Sequence, residues 1–183
     1  IKVEPLAQKE LWREIEILTN LHDKPNFCKV AGFGKNSDFR YLAMDLLGDN
    51  LNSLRKKTPN GHFSLCTTLR IGLQALKCLK DLHNRGYIHR DVKPSNFAIG
   101  RTLDTRRNIN LLDFGISRRF KATTGKLIRP RVEPGFAGTY LYCSLRAHKN
   151  LELSRADDLM SLFFMLLELR NGFLPWIMCS SPN

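Results

Sequence analysis

The sequence predicts an α+β fold in which a small β-rich part is followed by a mostly helical part. Two short apolar segments, 28–34 and 39–46, are bounded by glycine or aspartate, as is typical of strands. Apolar residues recur at three- and four-residue steps over 8–21 and again after Ser64, which indicates helices. With 43% apolar residues in 183, the chain is long enough for one domain, or a large part of one, with a buried core.

The first elements follow in order along the chain. Lys2 and Val3 resemble the end of a strand, and 8–21 forms a helix whose apolar positions recur in the pattern of one buried face. The segment Gly32-Phe33-Gly34-Lys35-Asn36-Ser37 has the glycine content of a phosphate-binding loop. It lacks a third glycine and no helix follows it, so a turn between two strands is predicted there.

The second half begins with a long helix. Ser64 is its predicted N-cap and Gly86 its left-handed C-terminal residue. The leucines of this segment predict its buried face: Leu65, Leu69, Leu73, Leu76, Leu79 and Leu82. Residues 97–99 and 109–112 predict a small hairpin. A basic, irregular loop over 117–138 and an apolar buried helix over 155–169 complete the chain, and Pro175 and Trp176 close that helix.

Composition narrows the class of protein. The chain carries a net charge of +12, but it has no basic run interleaved with aromatic residues, so nucleic-acid binding is not expected. Five cysteines without a CxxC pair indicate small core residues in a reducing compartment. No signal peptide is recognised, and the most apolar segment, 159–169, is too short to cross a membrane. A cytoplasmic monomer is expected, with entry into the nucleus left open.

One polar loop carries the residues that phosphoryl transfer requires. In His89-Arg90-Asp91-Val92-Lys93-Pro94-Ser95-Asn96, Asp91 is placed to accept the proton of an attacking hydroxyl, and Lys93 to offset charge on the phosphoryl group. Asn96 and Asp113, the latter in Asp-Phe-Gly, are oxygen ligands suited to Mg²⁺. Their combined spacing, with Asp113 22 residues after Asp91, matches the catalytic motif set of protein kinases.

Two residues near the N-terminus complete this set of charges. Lys2 is predicted to bind the α- and β-phosphates, and Glu14 on the first helix to hold Lys2 in place. Glu10 and Glu16 are competing partners for Lys2. Helical phase favours Glu14, because it lies next to the apolar face at Ile15.

A nucleotide site is predicted beside this loop. Met44 would be the gatekeeper at the end of a buried strand, and the Asp45 carbonyl and Leu47 amide would pair with the adenine edge. Ala98 and Leu112 would form the floor of the pocket.

The motifs HRDVKPSNFAIG, LDFGISR, GTYLYCSLRAHKN, SRADDLMSLFFMLLEL and NGFLPW together resemble the casein kinase I superfamily. Ser95, the following NFA and the AHKN at 147–150 are most similar to its tau-tubulin kinase branch. The resemblance implies a bilobal protein-kinase-like fold, truncated at both ends: residues 1–45 form the remainder of a small β-rich N-lobe with helix C. Residues 46–50 form the hinge, and 51–183 a mostly helical C-lobe without its last helices.

The resemblance also implies ATP and Mg²⁺ as cofactors and a protein serine or threonine as acceptor. Asp158 corresponds to a buried aspartate that supports the catalytic loop from beneath. One departure concerns substrates: Leu141 stands where the family usually has an arginine of an anion pocket. An acidic protein substrate is still a hypothesis, based on the basic residues Arg118, Arg119, Lys121, Lys126, Arg129 and Arg131. The alternative function is a catalytically inactive kinase-like fragment that acts as a binding scaffold.

Overall fold

The computed structural model describes residues 1–179 and confirms the α+β fold. The first part contains the strands β1 (Lys2–Pro5), β2 (Val30–Lys35) and β3 (Phe39–Met44) with the helix α1 (Glu10–Asn20). The strands form one antiparallel sheet in the order β1-β3-β2. A turn does join β2 to β3 as predicted, but it is confined to residues 36–38, because 32–35 of the predicted turn belong to β2.

Helix α1 packs on this sheet through an apolar face. Leu11, Ile15 and Leu18 are buried, at the spacing that the sequence predicts. The N-terminus of α1 lacks a capping side chain from its own N-cap residue. Instead, the buried carboxylate of Glu4 on β1 accepts a hydrogen bond from the amide of Leu11 at 2.9 Å. This bond satisfies one of the free amides of the first turn and ties α1 to the sheet.

The second part is mostly helical. It contains α2 (Leu51–Lys56), α3 (Leu65–Asn84), α4 (Leu145–His148) and α5 (Arg155–Asn171), together with short 3₁₀ turns at Pro94–Asn96 and Pro175–Cys179. The strands β4 (Tyr87–Ile88) and β7 (Arg118–Arg119) pair with each other, and β5 (Phe97–Ile99) and β6 (Ile109–Leu111) form the predicted hairpin.

The predicted ends of the long helix α3 are correct, but its predicted buried face is correct only at Leu79 and Leu82. Ser64 caps it by accepting a hydrogen bond from the Thr67 amide, and Gly86 is left-handed with φ 84°. Four of the predicted leucines are exposed, and the buried face consists of other residues together with Leu79 and Leu82. The exposed leucines are Leu65, Leu69, Leu73 and Leu76, and the buried residues include Ile71, Gly72, Ala75, Cys78, Leu79 and Leu82.

Close packing of α3 against α5 explains this difference. A Cβ added to Gly72 would lie 3.1 Å from Cδ1 of Leu166 on α5. This separation leaves no room for a larger side chain at position 72, so α3 turns the face of Gly72 and Ala75 towards α5 and the face of Leu65, Leu69, Leu73 and Leu76 outward.

Helix α5 is only partly buried, which corrects the prediction of a fully buried helix. Met165 and Leu169 are buried, but Leu159, Met160 and Phe163 are exposed. Both ends of the helix have strong signals: Ser154 and Asp157 form a capping box, and Gly172 adopts the left-handed conformation with φ 87°.

The prediction that the cysteines are core residues is correct for three of them and wrong for one. Cys28, Cys78 and Cys143 are buried as predicted, but Cys66 is exposed, and the Cys179 side chain lies outside the description. Burial raises the pKa of the Cys28 thiol to about 11 and that of Cys78 to about 12. Within residues 1–179, no helix has the length and apolarity that a membrane crossing requires.

Candidate active site

The loop between β4 and β5 is held from beneath by one buried carboxylate. Asp158 on α5 is 2% exposed and accepts hydrogen bonds from the backbone amides of His89 and Arg90, each at 2.8 Å. It also contacts Nε2 of His83 at 2.8 Å. Arg90 has a positive φ of 71°, so these contacts hold the loop in a conformation that side chains other than glycine rarely adopt.

Asp91 lies at the centre of a compact polar cluster. Its Oδ2 is 2.7 Å from Nζ of Lys93, and its Oδ1 accepts a hydrogen bond from the Thr139 hydroxyl at 2.6 Å. Lys93 donates in turn to the Thr139 hydroxyl at 2.9 Å. Asn96 donates from Nδ2 to the Asp91 carbonyl at 2.8 Å and to its Oδ2 at 3.2 Å. The carboxylate is therefore held in one orientation by three side chains.

His89 is fully buried and connects this loop to the segment that carries Asp113. Its Nδ1 accepts a hydrogen bond from the Asp91 amide at 3.2 Å, so Nε2 is the nitrogen that donates to the Leu112 carbonyl, at 3.0 Å. The ring also packs edge-on against Phe114, with centroids 5.4 Å apart.

Lys2 and Glu14 form the contact that helical phase favours. Lys2 Nζ lies 2.8 Å from both carboxylate oxygens of Glu14. Burial raises the pKa of Glu14, and the charge and hydrogen bond of Lys2 oppose that shift. Of the competing glutamates, Glu16 instead contacts Tyr87 and Arg119.

Asp113 lies on the other side of Lys2, with 3.9 Å between its Oδ1 and Nζ. The side chain of Asp113 is 52% exposed, and its φ of 63° is a second unusual conformation at this site. A hydrogen bond from the Leu112 amide to the Asn96 carbonyl, at 2.9 Å, joins the residue before Asp113 to the backbone of Asn96.

The chemistry of these two residues fits Mg²⁺. Asn96 uses its amide nitrogen on Asp91, which leaves its amide oxygen as the end available to a cation, and Asp113 supplies an accessible carboxylate. Over residues 1–179 there is no group of three or more His, Cys, Asp or Glu residues suited to a metal ion. This donor set is consistent with Mg²⁺, which protein sites of this type bind through one or two side chains, with phosphate oxygens and water completing the shell.

The predicted nucleotide-contacting residues lie where the two parts of the chain meet. Met44 ends β3, and the exposed Asp45 follows it, with its amide bonded to the Lys29 carbonyl at 3.2 Å. Beyond Leu47, the Gly48 amide donates to the Ile99 carbonyl at 2.9 Å and joins this connector to β5. Ala98 on β5 is buried, and Leu112 packs against the core directly before Asp113.

The basic loop after Asp113 is less free than its sequence indicates. Glu152 accepts hydrogen bonds from the Arg131 side chain at 2.8 and 3.0 Å and lies 3.4 Å from Nε of Arg118. These arginines lower the pKa of Glu152 to about 2, with the hydrogen bond from Arg131 as the largest cause. Arg119 pairs with Glu16. Three of the six basic residues on which the hypothesis of an acidic substrate depends are thus in ion pairs within the chain: Arg118, Arg119 and Arg131.

The side chain of Arg90 contacts a backbone carbonyl of the segment that follows Asp113. Its Nε donates to the Ile116 carbonyl at 2.7 Å. Its pKa is lowered to about 10, chiefly by burial and then by the nearby charges of Arg131, Arg118 and Arg13.

Two contacts at the site have no clear signal in the sequence. Arg13 on α1 donates to the carbonyl of Gly115, which lies two residues after Asp113. Glu152 pairs with Arg118 and Arg131 of the basic loop from a position between α4 and α5. Both join residues that are distant in sequence, so neither periodicity nor motif spacing could have predicted them.

Comparison with known proteins shows the family of this chain. The model of the protein kinase domain family matches residues 2–181. A probable serine/threonine-protein kinase of Dictyostelium discoideum is 43% identical over 178 residues, which are 96% of this chain and 36% of that protein. A putative casein kinase I of Caenorhabditis elegans is 39% identical over 181 residues, covering 96% of this chain and 53% of the relative.

The serine/threonine-protein kinase spe-6, also of Caenorhabditis elegans, is 42% identical over 152 residues, or 83% of this chain and 39% of that protein. The fold and the site thus define a protein kinase domain with serine/threonine kinase homologues. The chain belongs to the protein kinase domain family. It spans about a third to a half of the length of these curated relatives.

Proposed function

We propose that this protein is an ATP- and Mg²⁺-dependent protein serine/threonine kinase that transfers the γ-phosphoryl group to a protein hydroxyl. Asp91 would orient the acceptor hydroxyl and take its proton, and Lys93 would offset the charge that develops on the transferred group. Asn96 and Asp113 would hold Mg²⁺, which when bound neutralises phosphate charge. Lys2, held by Glu14, would contact the α- and β-phosphates.

One observation carries this proposal: the carboxylate of Asp91 is held by Lys93, Thr139 and Asn96 at 2.6 to 3.2 Å. Phosphoryl transfer depends mainly on positioning and charge stabilisation, so a rigidly oriented carboxylate next to a lysine is the arrangement that this reaction needs. Adenine would lie between Met44 and the floor of Ala98 and Leu112, paired with the Asp45 carbonyl and the Leu47 amide.

The finer classification and the substrate are proposals as well. The catalytic-loop and activation-segment motifs support membership of the casein kinase I superfamily, and Ser95 supports its tau-tubulin kinase branch. The contact of Lys93 with Thr139 supports serine or threonine as acceptor. A preference for acidic substrates would depend on Lys121, Lys126 and Arg129, because the other basic residues of the loop are in ion pairs. We further propose a monomer that acts in the cytoplasm.

The test is phosphate transfer from radiolabelled ATP to a general acceptor protein, with and without Mg²⁺, for the natural protein and for Asp91→Asn. Loss of a positioned general base costs about 10²- to 10⁴-fold in rate, so Asp91→Asn should lower kcat by at least about 100-fold. The matched control is Asp23→Asn, which removes the same charge from an exposed carboxylate. Transfer that is unaffected by Asp91→Asn refutes the role of Asp91. Absence of any Mg²⁺-dependent transfer by the natural protein supports the binding scaffold instead.

A further inference from the structure

A cavity of about 390 Å³ lies between the basic loop and the start of α5. Its wall is formed by Ile88 on β4, the paired strand β7, the loop residues 120 and 127–130, and residues 152–155. None of the residues proposed for catalysis or for binding nucleotide or Mg²⁺ lines it. Its volume falls in the range of sites for small organic ligands, about 300–1,000 Å³. The proposed reaction therefore leaves a ligand-sized site unassigned.

A folded segment of the basic loop forms the apolar side of this cavity. The Ile128 amide donates to the Phe120 carbonyl at 2.9 Å, and the Ala122 amide donates to the Lys126 carbonyl at 2.8 Å. These bonds fold the loop back on itself and place Phe120 and Ile128 on the wall together with Leu127. Leu127 is 73% exposed and Ile128 is 40% exposed, so the rest of the described chain does not cover them. The apolar part of a ligand would gain hydrophobic contact here.

The charged residues of the wall include arginines without an acidic partner. Glu152 is the one acidic residue on the described wall, and it already binds Arg118 and Arg131. Arg129 and Arg155 line the same cavity, and within residues 1–179 neither forms an ion pair. The wall therefore carries positive charge that an anionic ligand would neutralise.

Arg155 is placed to hold such an anion. Its guanidinium lies over the ring of Phe120, with Cζ 5.1 Å from the ring centroid, and the N–H donors at its edge can bind both oxygens of a carboxylate. Arg155 is also the first residue of α5, where the positive end of the helix dipole favours an anion. The acids of the same turn, Asp157 and Asp158, are buried and accept hydrogen bonds from backbone amides instead.

We propose that this cavity binds a free fatty acid, with the carboxylate at Arg129 and Arg155 and the acyl chain against the apolar wall. An uncharged apolar molecule would leave the arginines without a partner, and a small anion would leave the apolar wall in contact with water. A peptide would bring unpaired backbone amides and carbonyls against that wall, which costs free energy. A fatty acid avoids each of these costs. The site goes beyond the proposed kinase function and does not depend on it.

The experiment titrates the natural protein in a calorimeter with decanoate, below the concentration at which decanoate forms micelles. The compound 1-decanol has the same chain without the charge, and acetate has the charge without the chain. Decanoate should bind at one molecule per chain, 1-decanol should bind about 10-fold more weakly, and acetate should not bind over the same concentrations. Hydrogen exchange should become slower with decanoate in residues 118–130 and 152–158 and stay unchanged in Leu65–Asn84.

Two variants separate the charge from the apolar contact. Arg155→Gln removes the charge and should weaken decanoate binding about 10-fold while leaving the affinity for 1-decanol unchanged. Ile128→Ala removes part of the apolar wall and should weaken the binding of both ligands about 5-fold. The matched control is Arg70→Gln, which removes the charge of an exposed arginine on α3 outside the cavity and should bind decanoate as the natural protein does.

Equal affinity for decanoate and 1-decanol, or decanoate binding that Arg155→Gln leaves unchanged, overturns the proposal. Several molecules bound per chain, with slower exchange in Leu65–Asn84, would mean adsorption to the exposed leucines of α3 and overturns it as well. Binding of a short apolar peptide with an acidic end in place of decanoate overturns the fatty acid as the occupant. No outcome depends on phosphate transfer, so a failure of the kinase proposal leaves the test of this site intact.

Discussion

Asp158→Asn is expected to destabilise the protein and slow its reaction, although it changes only one oxygen to an NH₂ group. Asp158 is buried, and its two oxygens accept hydrogen bonds from the amides of His89 and Arg90 and contact His83. Asparagine retains one acceptor oxygen. Whichever way the amide turns, its NH₂ group faces a backbone amide that also donates, and one buried donor is left without a partner.

The magnitude follows from these contacts. A hydrogen bond to a charged group contributes about 1.5–3 kcal/mol, and a buried donor left unsatisfied costs about 1–3 kcal/mol, so we expect a loss of about 3 kcal/mol in the free energy of unfolding. Oδ2 serves both His89 and His83, whereas Oδ1 serves Arg90 alone. The amide nitrogen of asparagine should therefore replace Oδ1 and free the Arg90 amide. The backbone directly before Asp91 would then loosen, and kcat should fall by about 10-fold.

Urea denaturation and initial-rate kinetics measure the two effects. Asp23→Asn is the control, since it makes the same replacement at an exposed carboxylate and should leave both quantities close to those of the natural protein. If the Asp158→Asn variant has the same free energy of unfolding as the natural protein, the contacts of Asp158 with His89, Arg90 and His83 do not stabilise the fold as proposed. If stability falls but kcat stays unchanged, the loop does not depend on Asp158 for its catalytic geometry.

Three further predictions test other parts of the site. The pKa of Glu152 is lowered from 4.5 to about 2 in the folded protein, so its ion pairs stabilise the fold fully above pH 4.5 and lose this contribution as pH falls towards 2. Glu152→Gln should therefore cost about 2 kcal/mol in urea denaturation at pH 7 and nothing near pH 2; a cost independent of pH contradicts this reasoning. Gly138 has φ 111°, and an added Cβ would lie 2.6 Å from a catalytic-loop carbonyl, so Gly138→Ala should lower the melting temperature and abolish most activity. Gly135→Ala, at φ 70° with open space around it, should retain activity, and equal losses in both variants would point to backbone strain alone. Thr139→Ala removes the donor at 2.6 Å from the catalytic carboxylate and should lower kcat by about 10-fold, with Thr139→Ser restoring most of it; an inactive serine variant would exclude the hydroxyl as the cause.

Local sequence alone predicted much of the fold and of the candidate site. Interactions between neighbouring residues determine the capped ends of α3, the β5–β6 hairpin and the position of Asp91, Lys93 and Asn96 in one loop. The choice of Glu14 over Glu16 as partner of Lys2 also followed from sequence. Helical phase sets which way each side chain of α1 points, and this is independent of what surrounds the helix.

Tertiary structure decided which helix faces are buried and which charged side chains form ion pairs with each other. Periodicity predicted six leucines of α3 on its core face, but Leu65, Leu69, Leu73 and Leu76 are exposed. The close approach of Leu166 to Gly72 brings a different face of the helix against α5. The charge of Arg119 looked available to substrates, yet it is paired with Glu16, 103 residues earlier in the chain. Close packing and long-range ion pairs depend on the three-dimensional approach of distant segments, and a local pattern carries no information about that approach.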